Sequence, residues 1–316
     1  VIEAITTAAK SANRYPYSGS PLLVQALAGY HGIPDNEIMV GNGTNEIIDL
    51  LVRAFVGSDH NVVFPVPSFI VYPLVCKQCQ IEARGVDCKD YRLDLPGMRA
   101  AVDENTRVVF ICNPNNPTST YSTGEEVDRF LEGLPEDVLV VMDEAYYDYV
   151  DAPDYPDSMG LHRKRQTLIL LRTFSKFQSL AGLRVGYAIA DPGVVKALHQ
   201  IRQPFNVNVL AQAAARAALE VIEELKPLVQ ETIEERARVR EAMLALGFVC
   251  PPSQANFVFV DLGDRELDLF EALYAEGVVV RRMGQFGASK NSYRISIGTV
   301  EENDRLIRAA RKVMGE

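Results

Sequence analysis

The chain lacks the features that would tie it to a membrane, to nucleic acid or to a metal. No apolar run approaches the ~20 residues of a spanning helix, and the start carries no basic segment followed by an apolar stretch. Positive charge is in deficit: 32 lysines and arginines face 42 acids, a formal net charge of -10, which disfavours nucleic acid and anionic membrane surfaces as partners. Histidine is scarce, and His31, His60, His162 and His199 include no i, i+4 pair. Five cysteines form no framework. Cys76 and Cys79 make one C-x-x-C, no second pair follows at zinc-ribbon spacing, and Cys88, Cys112 and Cys250 are scattered. Buried or incidental thiols are expected, with a metal or redox role the minor reading. Internal repeats and low-complexity segments are missing as well. What remains is an ordinary globular composition, for which a cytoplasmic location is expected, long enough for one large domain and a smaller one. The first residue is Val1 rather than methionine, so the natural N-terminus is expected to lie upstream.

Short runs rich in valine and isoleucine recur, with helical segments between them. The runs at 61–64, 107–112, 138–142, 167–171 and 185–190 are apolar almost throughout, as strands buried on both faces are. This alternation predicts an α/β fold: a mostly parallel sheet covered by helices on both faces. Residues 45–55 carry the helical stripe Ile47, Ile48, Leu51, Val52 and Phe55. From 211 to 246 the composition turns to Ala, Leu, Glu and Arg, predicting long helices with a break or kink at Pro227. Strand candidates at 257–260, 278–280 and 293–297 then suit a smaller α+β domain. The expected division is a large domain over 24–222, with 1–23 as an N-terminal arm joining 223–316 in the small domain.

Chemistry-bearing residues gather at the predicted strand ends, where ligands of open α/β sheets sit. After the 167–171 run come Thr173, Ser175 and Lys176, with Arg184 eight residues beyond Lys176. A lysine there can condense with a carbonyl, while hydroxyls and a guanidinium can hold a phosphate; pyridoxal phosphate presents an aldehyde and a phosphate together. Gly41-Asn42-Gly43-Thr44-Asn45 is a glycine turn into a helix start, whose free amides suit a phosphate. A helix cap is the plainer reading of Thr44 and Asn45. Asn113-Pro114-Asn115-Asn116-Pro117-Thr118 has the composition of a turn. Asp143 follows a buried run, as a cap or as a charge with a task. Arg294 stands in a strand of apolar or small residues, where a planar fork suits a carboxylate.

Together these strings resemble the fold type I, class I/II pyridoxal-phosphate aminotransferases, the histidinol-phosphate aminotransferases in particular. The resemblance covers the chain from Arg14 to Gly298, with the motifs in the family's order. It implies that Lys176 carries the cofactor and shuttles the proton. It implies that Asp143 keeps the pyridine nitrogen protonated and that Asn116 and Tyr146 hydrogen-bond the phenolic oxygen. Phe69 would stack on the ring, while Gly43, Thr44, Asn45, Thr173, Ser175 and Arg184 would anchor the phosphate. Arg294 would take a substrate carboxylate and Arg281 a substrate phosphate, a surface salt bridge being the alternative for Arg281; Asn116 would also meet the substrate, and Arg282 would point elsewhere. Tyr15, in Arg14-Tyr15-Pro16, would reach the partner's cofactor across a homodimer interface. The family's Asn-Glu-Asn-Pro segment does not occur in these residues, and Ser119 stands where the family usually has glycine. The expected activity is transfer of an amino group from a small-molecule donor, histidinol phosphate, to the 2-oxo acid 2-oxoglutarate. An aromatic aminotransferase or a threonine-phosphate decarboxylase on the same framework is the alternative. A cofactor-binding regulatory domain ranks below both, since no helix-turn-helix or basic patch is evident.

Overall fold

A computed structural model describes residues 1–315. Seven strands form the large sheet: β1 (Ile38–Gly41), β2 (Asn61–Val66), β3 (Glu82–Asp87), β4 (Thr106–Cys112), β5 (Leu139–Asp143), β6 (Leu168–Thr173) and β7 (Gly186–Ile189). Their order across the sheet is β1-β7-β6-β5-β4-β2-β3. Strands β2 to β6 pair in parallel, and β7 runs antiparallel to both of its neighbours, β6 and β1. The α/β reading holds, with this one reversed strand.

Burial follows the two-residue period of a strand. Val140, Met142, Leu168 and Leu170 join one core with Leu23, Leu27, Phe130 and the alanines of the helix Val209–Glu220. Leu139, Val141, Ile169 and Leu171 join a second core with the helices Thr44–Phe55, Val71–Cys79 and Pro192–Ile201. Sandwiched this way, the central strands need apolar residues at every position, which is why they were visible as unbroken runs. The edge strand β3 was not visible in that way. Its sequence Glu-Ala-Arg-Gly-Val-Asp is mostly exposed.

A second sheet of β8 (Phe257–Asp261), β10 (Ser292–Ser296) and β9 (Arg281–Arg282), in that order, has its own core. Val258, Val260, Tyr293 and Ile295 pack there on the helices Ile222–Ala245, Leu269–Ala275 and Val300–Met314. Two local expectations need correction. Residues 278–280 are not a strand; pairing begins at Arg281, because the β10 register brings Tyr293 and Arg294 opposite Arg282 and Arg281. The break between the long helices falls at Val221, and Pro227 lies inside the helix Ile222–Ala245. Pro227 is the sixth residue of that helix, so its missing N–H removes the bond to the Glu223 carbonyl; the expected break is elsewhere, while the expected kink is not contradicted. The N-terminal helix Ile2–Ala9 packs on Val209–Glu220, and its Ile5 touches the first core of the large sheet. No helix among the described residues is long and apolar enough to cross a membrane.

Candidate active site

A cavity of about 240 Å³ opens where the ends of β1, β4, β5 and β6 meet β9 and β10. Its walls include Thr44, Asn45, Phe69, Asn116, Asp143 and Tyr146, and also Thr173, Ser175, Lys176, Arg184, Arg281 and Arg294. Nearly every residue singled out from the sequence is therefore brought to one place. Lys176, Arg184, Arg281 and Arg294 line it against the single acid Asp143. So strong a positive excess suits an anionic occupant.

One end is a cradle. The helix Thr44–Phe55 starts at Gly43, whose φ is 72°, and no side chain caps it. Thr44 and Asn45 are thus the first residues of the helix rather than its cap, and the leading amides stay open toward the cavity. Glu46 turns back to accept from the Asn42 amide at 2.6 Å. Arg184, itself at φ 59°, lies so close that a Cβ on Gly43 would meet its Nη2 at 2.8 Å. The positive φ favours glycine there, whereas the Arg184 guanidinium, at the end of a flexible side chain, could shift aside. On the other side of the cradle, the Thr173 hydroxyl accepts from the Ser175 amide at 3.0 Å, fixing the turn that presents Ser175 and Lys176.

Asp143 is buried at the end of β5. Its Oδ2 accepts from the Tyr72 hydroxyl at 2.9 Å and its Oδ1 from the Ala145 amide at 3.2 Å. Burial pushes its carboxyl up to about 6, although these hydrogen bonds and the Lys176 charge oppose the rise. It caps no helix. Lys176 extends over the Tyr146 ring, its Nζ 5.2 Å from the centroid. Burial, then the Arg294 charge, lower the proton affinity of its amine, and Asp143 restores part of it. Burial likewise raises the Tyr146 hydroxyl, which stays protonated as a donor.

The asparagine-proline loop is both a turn and part of the site. Asn113 holds the Ser122 amide and carbonyl, and Asn115 bridges Ser68, Pro67 and Thr118. Asn116 alone faces the cavity. Its Oδ1 accepts from Arg294 Nη1 at 2.8 Å, which leaves its amide nitrogen as a donor into the space. Ser119 adopts the glycine-like φ of 62° while buried, its hydroxyl donating to the Thr118 carbonyl and its own carbonyl accepting from Gln254.

Arg294 and Arg281 stand directly opposite each other on β10 and β9. Two like charges in that register repel unless an anion lies between them. Arg294 rests over the Phe257 ring at 5.0 Å and Arg281 over Phe286 at 4.8 Å. Arg282 turns away to Asp268 and Glu271. Tyr15 is not in this chain's cavity; it is exposed and stacks on Phe205, centroids 4.8 Å apart. Cys76 and Cys79 are free thiols on the helix Val71–Cys79. Tyr72, Met283, Phe286 and Ile70 had not been singled out from the sequence. A tyrosine or methionine inside an apolar segment reads as core, and only tertiary contact distinguishes it.

The family model for aminotransferase class I and II matches residues 1–309. Histidinol-phosphate aminotransferase 2 of Pseudomonas fluorescens (strain Pf0-1) is 42% identical over 313 residues, covering 99% of this chain and 84% of the relative. An aromatic amino acid aminotransferase of Nocardia farcinica is also 42% identical, over 312 residues, covering 98% and 86%. Among solved structures, a histidinol-phosphate aminotransferase from Sinorhizobium meliloti in complex with pyridoxal-5'-phosphate aligns with a TM-score of 0.90 at 30% identity, over 99% of this chain and 86% of that one.

Proposed function

The chain belongs to the class I and II aminotransferases, and we propose that it moves an amino group from histidinol phosphate to 2-oxoglutarate with pyridoxal phosphate as cofactor. The residues present fit that cofactor. The open helix start, Ser175, Thr173 and Arg184 would hold its phosphate, and the Gly43–Arg184 contact leaves no Cβ in the way. Asp143 would face the pyridine nitrogen, Phe69 the ring, and Asn116 with Tyr146 the phenolic oxygen. When bound, the cofactor supplies an aldehyde for the donor's nitrogen and a ring that takes up the electrons released at Cα.

The protein's own part is positioning and proton movement. Lys176, whose amine burial makes easier to deprotonate, would take the proton from the donor's Cα and hold it on Nζ for return. Asp143, ionised above about pH 6, would keep the bound cofactor's pyridine nitrogen protonated. Ile70, Met283 and Phe286 make part of the wall apolar. Tyr15, exposed on its own subunit, would complete the site of a homodimer partner. A monomer in sedimentation at working concentration would overturn that last element.

One observation carries the choice of substrate: the facing pair Arg281 and Arg294. Histidinol phosphate brings a phosphate and glutamate a second carboxylate, so each donor offers the pair an anion distant from the reacting amine. The aromatic-aminotransferase reading has support of its own in the apolar wall and in the Nocardia relative. A half-reaction screen separates them. Cofactor-loaded protein is mixed with histidinol phosphate, phenylalanine, tyrosine or threonine phosphate, and loss of the bound cofactor's long-wavelength absorbance is followed. Fast loss with histidinol phosphate alone is expected. Faster loss with phenylalanine or tyrosine would transfer the assignment to aromatic donors, and release of CO2 from threonine phosphate would make it a decarboxylase.

A further inference from the structure

We propose that Tyr72 is a positioning residue for Asp143, holding that carboxylate ionised and in one orientation at the floor of the cavity. Tyr72 sits three residues beyond Phe69, in the helix Val71–Cys79, and is fully buried. Its ring is clamped. Phe110 of β4 stacks on it at 4.5 Å with planes 9° apart, and Phe69 meets it edge-on at 5.7 Å. A ring so held has one direction for its hydroxyl, and that direction ends on Asp143 Oδ2 at 2.9 Å.

The Ala145 amide takes the other oxygen, Oδ1. Two donors from two different segments therefore fix both rotation and tilt of the carboxylate. Burial alone favours the protonated acid, whose oxygens would then offer a weaker and differently placed acceptor. Tyr72 cannot relieve this by ionising, because burial and the Asp143 charge raise its hydroxyl well above its ordinary range. It acts as a neutral donor throughout.

The other groups facing Asp143 do not replace it. Glu144 follows on the same segment and its charge disfavours ionisation; Lys176, after β6, favours it from the cavity side. Cys112 of β4 is a thiol pushed up to about 12 by burial, with its Sγ directed to the Pro114 carbonyl at 3.5 Å. The same short segment thus carries both Phe69, at the cavity wall, and the donor that steadies the carboxylate below it.

The test is Tyr72→Phe, which keeps the ring and removes the hydroxyl. In the cofactor-free full chain, infrared difference spectra with carboxyl-labelled aspartate follow protonation of Asp143, its band identified by loss in Asp143→Asn. The midpoint is expected to rise by roughly one pH unit, a tenfold gain in proton affinity. An unmoved midpoint would mean that Tyr72 only fills space. If Tyr72→Phe fails to fold, the wild-type protein labelled at tyrosine Cζ gives the answer: the buried Tyr72 resonance should titrate with the Asp143 midpoint, and a flat resonance overturns the proposal. The catalytic consequence rests on the aminotransferase reading, and is read separately in cofactor-loaded protein as an upward move of the acidic limb of kcat/KM. A shifted carboxyl midpoint with an unmoved limb would leave the Tyr72 contact standing and overturn the role given to Asp143.

Discussion

At the ends of β5 and β6, Asp143 and Thr173 face the cavity, while Glu144, just after β5, and Arg172, on β6, meet on the opposite side of the sheet. The separation continues the two-residue alternation of the cores, Val141 and Leu171 on one face, Met142 and Leu170 on the other. Both acids are buried, yet their surroundings differ. Glu144 meets Arg172 in an ion pair at 3.0 Å, and Tyr155 donates to it at 3.3 Å. Burial pulls the Arg172 guanidinium down, but the Glu144 charge beside it more than compensates and leaves it raised. Arg172 also covers the Tyr147 ring at 3.9 Å. Asp143 has no such permanent cation, and Lys176 faces it only across the cavity. A closed ion pair holds structure; a buried carboxylate with neutral donors and an open side is arranged for a ligand.

Substitutions should separate the two faces. The largest effect belongs to the cavity: Lys176→Ala is expected to abolish turnover with the fold intact. Borohydride reduction of the loaded protein followed by peptide mapping should place the cofactor label on Lys176, and a label on another lysine would remove it from its role. Asp143→Asn comes next, lowering the half-reaction rate by several orders of magnitude with little loss of cofactor binding. A near-normal rate would mean that this face is no more specialised than the other. Glu144→Gln should invert the pattern: it leaves Arg172 buried without its countercharge, at a cost of roughly 3–5 kcal/mol in stability by urea unfolding. Chemistry in the surviving folded fraction should be near normal.

The smallest effect is the pH dependence of stability in the cofactor-free protein. Asp143 is raised from 3.8 to about 6, so the folded state binds its proton more tightly than the unfolded chain. That contribution is full below about pH 4 and is lost as pH rises through 6. Relative to wild type, Asp143→Asn should therefore gain about 1–3 kcal/mol between pH 4 and pH 8, whatever constant offset the substitution adds. A constant difference across that range would contradict the raised carboxyl.

Much of this contrast was legible in the sequence, for a physical reason. Strands covered on both faces must be apolar throughout, so β2, β4, β5, β6 and β7 announced themselves, and polar residues directly after them stood out. Asp143 and the Thr173–Lys176 string stood out that way, Arg294 as a charge inside an apolar strand, and Asn116 through the asparagine-proline string after β4. Direction was not encoded in those runs, which is why β7 gave no sign of being reversed. The exposed edge β3 had too few apolar residues to register. Tyr72 was invisible because its role depends on a contact with a residue far along the chain, and its local setting, Val-Tyr-Pro-Leu-Val, is that of any core helix.

The position of β1 sets a timetable for the protein's synthesis. It is an edge strand that pairs, among the described residues, with β7 alone, Gly41 opposite Gly186. The two halves of the cradle flank that junction, the open helix start just after β1 and Arg184 just before β7. At ~5–20 residues per second on the ribosome, the first strand waits on the order of ten seconds for its partner. During that interval it presents an unpaired edge of Ile38, Met39 and Val40, a hazard for association between nascent chains. A ligand bound in the cradle cannot shorten the wait, because the cradle exists only after the last strand of the large sheet has joined the first. Ligand binding therefore reports on completion of the sheet, and stabilises only chains that have closed it.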